Sequence, residues 1–210
     1  MSENVPLEGF PPAGAVEESE YPLYLILGSF PSARSLAKRE YYGNPRNHFW
    51  KIVSECVGLP EPHSYAEKIE MLKKARIALW DIFSSCERPG SLDKDISRAR
   101  PNPIEEFLRR HPSIGAIGAN GGAAAQGFAR EFVKESTLAG GGGGASRGGE
   151  GRGGAALSRT GDRLVWIPSL SPERRLLVTR LPSTSPIPTA AFKTAADKLP
   201  HWIRFFTIHM

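Results

Sequence analysis

Leu23-Tyr24-Leu25-Ile26-Leu27-Gly28-Ser29-Phe30-Pro31-Ser32 is the stretch on which the fold turns. A short apolar run ends at a glycine and passes into turn formers, which is the pattern of a buried strand rather than a helix. The pattern returns downstream. Arg76-Ile77-Ala78-Leu79-Trp80 leaves through Asp81, residues 114–119 leave through Asn120-Gly121-Gly122, and Leu164-Val165-Trp166-Ile167-Pro168 is a fourth run of the kind. Helices are expected between them. Ser32 caps one over 33–40. Residues 48–57 present Phe49, Trp50, Ile52, Val53 and Cys56 on one face and stop at Gly58. Residues 65–74, 104–110 and 123–134 follow, and a last helical segment over 190–206 is interrupted at Pro200. Residues 84–102 are polar and read as loop. Strands that alternate with helices need crossover connections and hence parallel pairing. The expected fold is α/β, a three-layer α/β/α sandwich with a central, mostly parallel four-stranded sheet. In such a fold, functional side chains collect at the carboxyl ends of the strands. Those ends are Gly28-Ser29-Phe30, Trp80-Asp81, Asn120 and residues 181–185.

The composition permits this and excludes other classes. The 210 residues are 40% hydrophobic and 23% charged, close to globular averages, and long enough for one domain with a sizeable core. No stretch approaches the roughly 18–20 apolar residues of a membrane span. Residues 1–20 carry five acids and no Lys or Arg, are rich in Pro and Gly, and read as a flexible acidic leader without a signal-peptide layout. The ordered domain is expected over 21–206, with 207–210 as a tail. Two cysteines, Cys56 and Cys86, form neither a disulfide framework nor a metal-ligand spacing. An intracellular location, cytoplasm or nucleus, is the expectation. Residues 21–210 hold all 27 Lys and Arg against 17 Asp and Glu, a basic excess that suits a polyanion or simply a solvated basic surface. Residues 139–156 hold ten of the 22 glycines. They read as a flexible insertion rather than a phosphate cradle, because Gly140 to Gly144 is followed by neither Lys-Ser nor Lys-Thr and opens no helix.

The segment from Gly28 to Trp50, GSFPSARSLAKREYYGNPRNHFW, is the densest in chemistry. A strand-end glycine and serine offer N–H groups to an anion. Tyr41, Tyr42, Phe49 and Trp50 supply flat faces, and Arg34, Lys38, Arg39 and Arg46 supply charge. Asn47 stands just before an apolar helix, where an N-cap is the ordinary role of asparagine. On spacing alone Phe49 and Trp50 are core.

The same segment resembles the first motif of the uracil-DNA glycosylase superfamily, in the form carried by the hypoxanthine-DNA (DNA-deoxyinosine) glycosylases. The correspondence runs through Leu25 to Ser32, Tyr41-Tyr42 and Pro45-Arg46-Asn47-His48-Phe49-Trp50. It continues in Ala78-Leu79-Trp80-Asp81, Ser85-Cys86-Glu87-Arg88, Gly90-Ser91-Leu92-Asp93, Asn120-Gly121 and Leu181-Pro182-Ser183-Thr184-Ser185-Pro186. These blocks cover residues 21–206 in order. Mismatch-specific uracil glycosylases carry an Asn directly after the first strand; Phe30 stands there in this chain. The resemblance instead places the catalytic asparagine at Asn47.

What the resemblance implies is a monofunctional DNA glycosylase of base-excision repair that flips out a deaminated base, hypoxanthine foremost, and hydrolyses its N-glycosidic bond. That bond breaks through an oxocarbenium-like sugar and an anionic base. An amide carbonyl orients the water, and positioning with fixed electrostatics supplies the acceleration. No cofactor and no metal is implied, and no lysine in the motifs replaces the water as nucleophile. The implied base pocket is Gly28, Ser29, Phe30, Tyr42, Trp80, Asp81 and Asn120. Phe30 stacks on the base, and Tyr42 closes the pocket. Asp81 accepts from the purine N1–H or caps a turn. Asn120 reads the base edge or serves the Asn-Gly turn. Ser32, Arg46, Ser183, Thr184, Ser185 and Ile187 are the implied DNA contacts. Ile187-Pro188-Thr189 departs from the family pattern after Pro186, and Ile187 is a candidate wedge between bases. Arg174, Arg175 and Arg180 are candidate phosphate contacts, and His48 is expected to face solvent or phosphate. The partner is DNA containing a deaminated base, with no membrane, and a monomer is the default. Alternatives are a uracil or xanthine glycosylase of the same superfamily and a non-catalytic nucleic-acid-binding module on this fold. A Rossmann-type enzyme is disfavoured because no GxGxxG follows the first strand.

Overall fold

A computed structural model describes residues 6–17, 20–89, 92–133, 170 and 174–207, together with the backbone of 161–166. Its core is a six-stranded sheet. In chain order the strands are β2 (Ala13–Gly14), β3 (Tyr24–Gly28), β4 (Ile77–Asp81), β7 (Ala116–Asn120), β8 (Gly161–Trp166) and β9 (Arg175–Leu181). Across the sheet the order is β2-β4-β3-β7-β9-β8. The four inner strands are parallel, and the short β2 and the outer β8 are antiparallel edges.

Alternation along each inner strand explains the three layers. Leu25 and Leu27 join a core with Phe107 and Leu108 of α4 (Ile104–Arg110) and Phe128 of α5 (Gly122–Phe132). Tyr24 and Ile26 point the other way. They pack with Phe49, Ile52 and Val53 of α2 (Phe49–Val57), Leu72 of α3 (Tyr65–Lys74), and Trp202 and Phe205 of α6 (Ala195–Thr207). A sheet covered on both faces buries every residue of its central strands, and all five residues of β3 and of β4 are buried.

Four expectations are corrected. The sheet has six strands rather than four: the run near Leu164 is the antiparallel edge β8, and the fourth parallel strand is Arg175–Leu181. The leader is not loose over the described residues. β1 (Leu7–Glu8) pairs with β5 (Phe83–Glu87), and Ala13–Gly14 pairs with β4. The segment read as loop folds back as β5 and β6 (Ser97–Pro101), which with β1 form a small antiparallel sheet. Pro200 lies inside α6, which runs on to Thr207. The glycine-rich segment 139–156 and residues 208–210 lie outside the described residues. Among the described residues, no helix is long and apolar enough to cross a membrane.

Candidate active site

The carboxyl ends of β3, β4 and β7 open into one cleft of about 270 Å³, slightly smaller than ordinary small-molecule pockets. Its walls come from the loop after β3 (Ser29, Phe30, Ser32), the stretch from Tyr41 to Asn47, Asp81 and Asp93, and the loop from Ser183 to Ile187 after β9.

Gly28 and Asp81 are register partners at the ends of adjacent parallel strands. A Cβ on Gly28 would collide with the Asp81 carboxyl, so glycine is what lets the carboxyl stand at the cleft floor. Asp81 is 4% exposed, and its Oδ2 has no hydrogen-bond partner among the described residues. Burial and the neighbouring Asp93 charge push its pKa up to about 8, against the opposing pull of Arg88. Asp93 in turn accepts a 2.5 Å hydrogen bond from Ser29 Oγ. Phe30 forms part of the wall with the Arg88 guanidinium 5.1 Å from its ring centre. Arg88 also donates to the Pro31 carbonyl at 2.5 Å, so the loop after β3 is pinned from behind.

Tyr42 takes a left-handed backbone (φ 49°), uncommon for a bulky residue. Its ring stacks on Phe49 at 3.8 Å, and its hydroxyl accepts from Asn120 Nδ2 at 2.8 Å. Burial holds the phenol far above its ordinary pKa, hence neutral. Both Asn120 Nδ2 protons and one Oδ1 lone pair are taken by protein. Nδ2 also donates to Thr184 Oγ1 at 2.9 Å, and Oδ1 accepts from the Thr184 N–H at 2.9 Å. The Thr184 carbonyl accepts from the His48 N–H at 3.0 Å, which joins the two motif loops. Gly121, at φ 96°, makes the turn beside Asn120, and a Cβ there would meet Ser183 at 2.9 Å.

Asn47 lies half-buried on the cleft wall. Its Oδ1 accepts from the Phe49 N–H at 3.0 Å. The N-cap of α2 is His48, without a side-chain cap bond, so Asn47 is not the expected cap; it closes the turn before the helix and keeps a second lone pair on Oδ1.

No family model matches the chain. A hypoxanthine DNA glycosylase of Methanosarcina acetivorans is 40% identical over 98 residues, 46% of this chain and 62% of that protein. A hypoxanthine DNA glycosylase of Methanosarcina barkeri is 33% identical over 115 residues, 54% of this chain and 70% of that protein. The chain belongs to the hypoxanthine DNA glycosylase family. The fold agrees. A solution NMR structure of a Methanosarcina acetivorans protein, provisionally assigned as a uracil DNA glycosylase, superposes with a TM-score of 0.52 at 36% identity. It covers 58% of this chain and 74% of that one.

Against this family's motifs the structure brings Gly28, Ser29, Phe30, Ser32, Tyr42, Arg46, Asn47, Asp81, Asn120, Ser183, Ser185 and Ile187 to one cleft. Two expected residues are placed otherwise. Trp80 points to the opposite side, packing on Phe107 and donating Nε1 to the Phe10 carbonyl, because alternation along β4 turns it away from Asp81. Thr184 lies at the cleft edge but is fully buried, with its hydroxyl bonded to Asn120, so it faces no phosphate. Ser32 caps α1 (Ala33–Lys38) by accepting from the Ser35 N–H. Arg174 is also corrected: it donates to the Leu108, His111 and Ile114 carbonyls and locks the end of α4.

Lys198 was not found by sequence reasoning. It is 2% exposed, donates Nζ to the Ser185 carbonyl at 2.7 Å, and lies 3.2 Å from His48 Nδ1. Burial and the charges of Lys198 and Lys51 hold His48 below its ordinary pKa, so the ring is a neutral acceptor rather than a solvent-facing cation. A lysine on an amphipathic helix carries no local signal of this role. Among the described residues, no group of three or more His, Cys, Asp or Glu is placed to hold a metal ion.

Proposed function

We propose that the chain is a DNA glycosylase that removes a flipped-out deaminated base, hypoxanthine foremost, by hydrolysing its N-glycosidic bond. The observation that carries this reading is the cleft itself, where an amide (Asn47), an aromatic wall (Phe30) and a buried carboxyl with an unpartnered oxygen (Asp81) converge at the strand ends. Relatives named hypoxanthine DNA glycosylase support it. So does the excess of Lys and Arg beyond residue 20, which favours a phosphate backbone.

A base stacked in a duplex reaches such a cleft only by rotating out of the helix. Phe30 then offers a face for stacking, and the Phe49-backed Tyr42 closes the far side. The Phe49 N–H fixes the Asn47 side chain, and the remaining lone pair on Oδ1 orients a water toward C1′ of the sugar. A neutral amide is a weak base, so its contribution is positioning a water against a developing positive charge. Arg46 and Ser183, at the exposed rim, suit phosphate oxygens.

The test is incubation of the protein with end-labelled duplexes that carry one deoxyinosine, deoxyuridine or deoxyxanthosine, followed by alkali. Strand scission that needs alkali and is fastest for deoxyinosine is the expected result. Fastest release of uracil, the base named for the structural neighbour, would keep the chemistry and change the substrate. DNA binding with no alkali-labile site from any duplex would overturn the reading in favour of a binding module.

A further inference from the structure

We infer that Asp81 is a second catalytic residue, the general acid that passes a proton from its carboxyl to N7 of the departing purine. The inference deepens the hypoxanthine reading above and rests on it.

The geometry carries it. Asp81 sits at the closed end of the cleft, with Oδ2 buried and unpartnered. Its surroundings contain few means of holding a negative charge. Ser29 Oγ is committed to Asp93. Tyr41 spends its hydroxyl on the Phe10 and Pro11 carbonyls, and the half-buried Tyr42 is a neutral phenol. Asn102 Nδ2 reaches its backbone carbonyl, not its carboxyl. The charged groups that act on it are Asp93, which repels, and Arg88, which attracts. Arg88 spends a donor on Pro31 and stands over Phe30. Asp81 is buried while Asp93 is exposed, and a desolvated carboxyl beside another carboxylate is driven toward its neutral form. Asp81 is desolvated and its Oδ2 has no donor among the described residues, so the proton belongs on Asp81, which fits a carboxyl titrating near 8. A buried O–H needs an acceptor. The N7 and O6 acceptors on the exposed edge of a 6-oxopurine are such a partner.

The step balances. The C1′–N9 bond breaks, and its electron pair passes into the purine ring as the Asp81 proton arrives at N7. The water held by Asn47 adds its oxygen to C1′, and its surplus proton returns through solvent to the Asp81 carboxylate. The products are an abasic deoxyribose and a neutral purine. A pyrimidine has no N7, so this acid serves purine release.

The test is single-turnover base release by the full chain, wild type and Asp81→Asn, from duplexes carrying deoxyinosine or 7-deaza-deoxyinosine, across pH 6 to 10. General acids are worth about 10²–10⁴-fold. The expected results are an Asp81→Asn loss of at least about 10²-fold on deoxyinosine, a wild-type rate that falls as pH rises through about 8, and no such fall in the variant. On the 7-deaza substrate, wild type and variant should release base at similar rates. The wild-type pH profile and substrate pair test the inference even where the variant folds poorly. An Asp81→Asn rate within a few fold of wild type, a wild-type profile flat through pH 8, or an equal penalty on both substrates would overturn the general acid while leaving the glycosylase reading intact. Absence of hypoxanthine release by the wild type would overturn both.

Discussion

Asn120 holds Thr184 by a two-pronged clamp, with its Nδ2 donating to the Thr184 hydroxyl and its Oδ1 accepting from the Thr184 N–H, each at 2.9 Å. The clamp fastens the loop after β9 to the end of β7. Thr184 is fully buried, so Asn120→Ala leaves a buried N–H and hydroxyl without partners. Each such group costs about 1–3 kcal/mol, and a loss of about 2–4 kcal/mol in urea unfolding is expected. Thr184→Val keeps the backbone bond and should cost about 1 kcal/mol. Equal costs for the two variants would show that the backbone prong is not the main restraint.

The strand ends are legible in the sequence because a buried parallel strand is an uninterrupted apolar run that stops at turn formers, as at Gly28, Asp81 and Asn120. Arg175–Leu181 is harder to read, since Arg175, Thr179 and Arg180 break the apolar run that marks a buried strand. The same holds for the hairpin of β5 and β6, whose strand Ser97–Pro101 is polar and exposed. Strand alternation contains the fact that Trp80 and Asp81 face opposite ways, and adjacent motif residues conceal it. The Lys198 contact to Ser185 and His48 is invisible in any local window. It joins residues 150 apart through the packing of α6 on α2.

Asn47 carries two roles that one substitution separates. Asn47→Ala removes the hydrogen bond to the Phe49 N–H that closes the turn before α2, worth about 1 kcal/mol. It also removes the group proposed to orient the water, and loss of one positioned polar group at a reacting centre costs about 10²–10³-fold in rate. The expected variant is folded, binds lesion DNA as wild type does, and releases base at least about 10²-fold more slowly in single turnover. Rates like those of wild type would show that Asn47 closes the turn before α2 and does nothing more.

Lys198→Met tests the link between α6 and the two motif loops. The ammonium holds the Ser185 carbonyl and faces His48 Nδ1 as donor. Its removal should raise the His48 pKa toward the ordinary value, since Lys198 is one of the charges that depress it. The sign follows from linkage. A histidine depressed in the folded state binds fewer protons there than when unfolded, so its contribution to stability is full above about 6.5 and is lost as pH falls through that value. The pH dependence of stability below about 6.5 should therefore flatten in Lys198→Met. Histidine resonances followed by NMR titration measure the shift directly. An unmoved His48 titration would place the two groups out of contact in solution.

Ile187 is 59% exposed at the rim of the cleft, two residues beyond Ser185, whose hydroxyl accepts from the Ile187 N–H at 3.3 Å. An isolated exposed isoleucine is unremarkable on most surfaces. Here it is carried by the loop that Asn120, Thr184 and Lys198 hold in place, beside the mouth of the cleft proposed to receive a base. Insertion of an apolar side chain between base steps offsets part of the unstacking cost of a flipped nucleotide. Ile187→Ala removes no packed contact of the core, so its stability should stay within about 0.5 kcal/mol of wild type. Release from a duplex lesion should fall by about tenfold, the equivalent of about 1.4 kcal/mol of lost unstacking help. Release from the same lesion in a single strand, where no stack needs to be opened, should change little. A 2-aminopurine placed beside the lesion reports the distortion independently, and its fluorescence rise on binding should shrink in the variant. If Ile187→Ala slows both substrates equally, the side chain shapes the cleft instead of opening the helix.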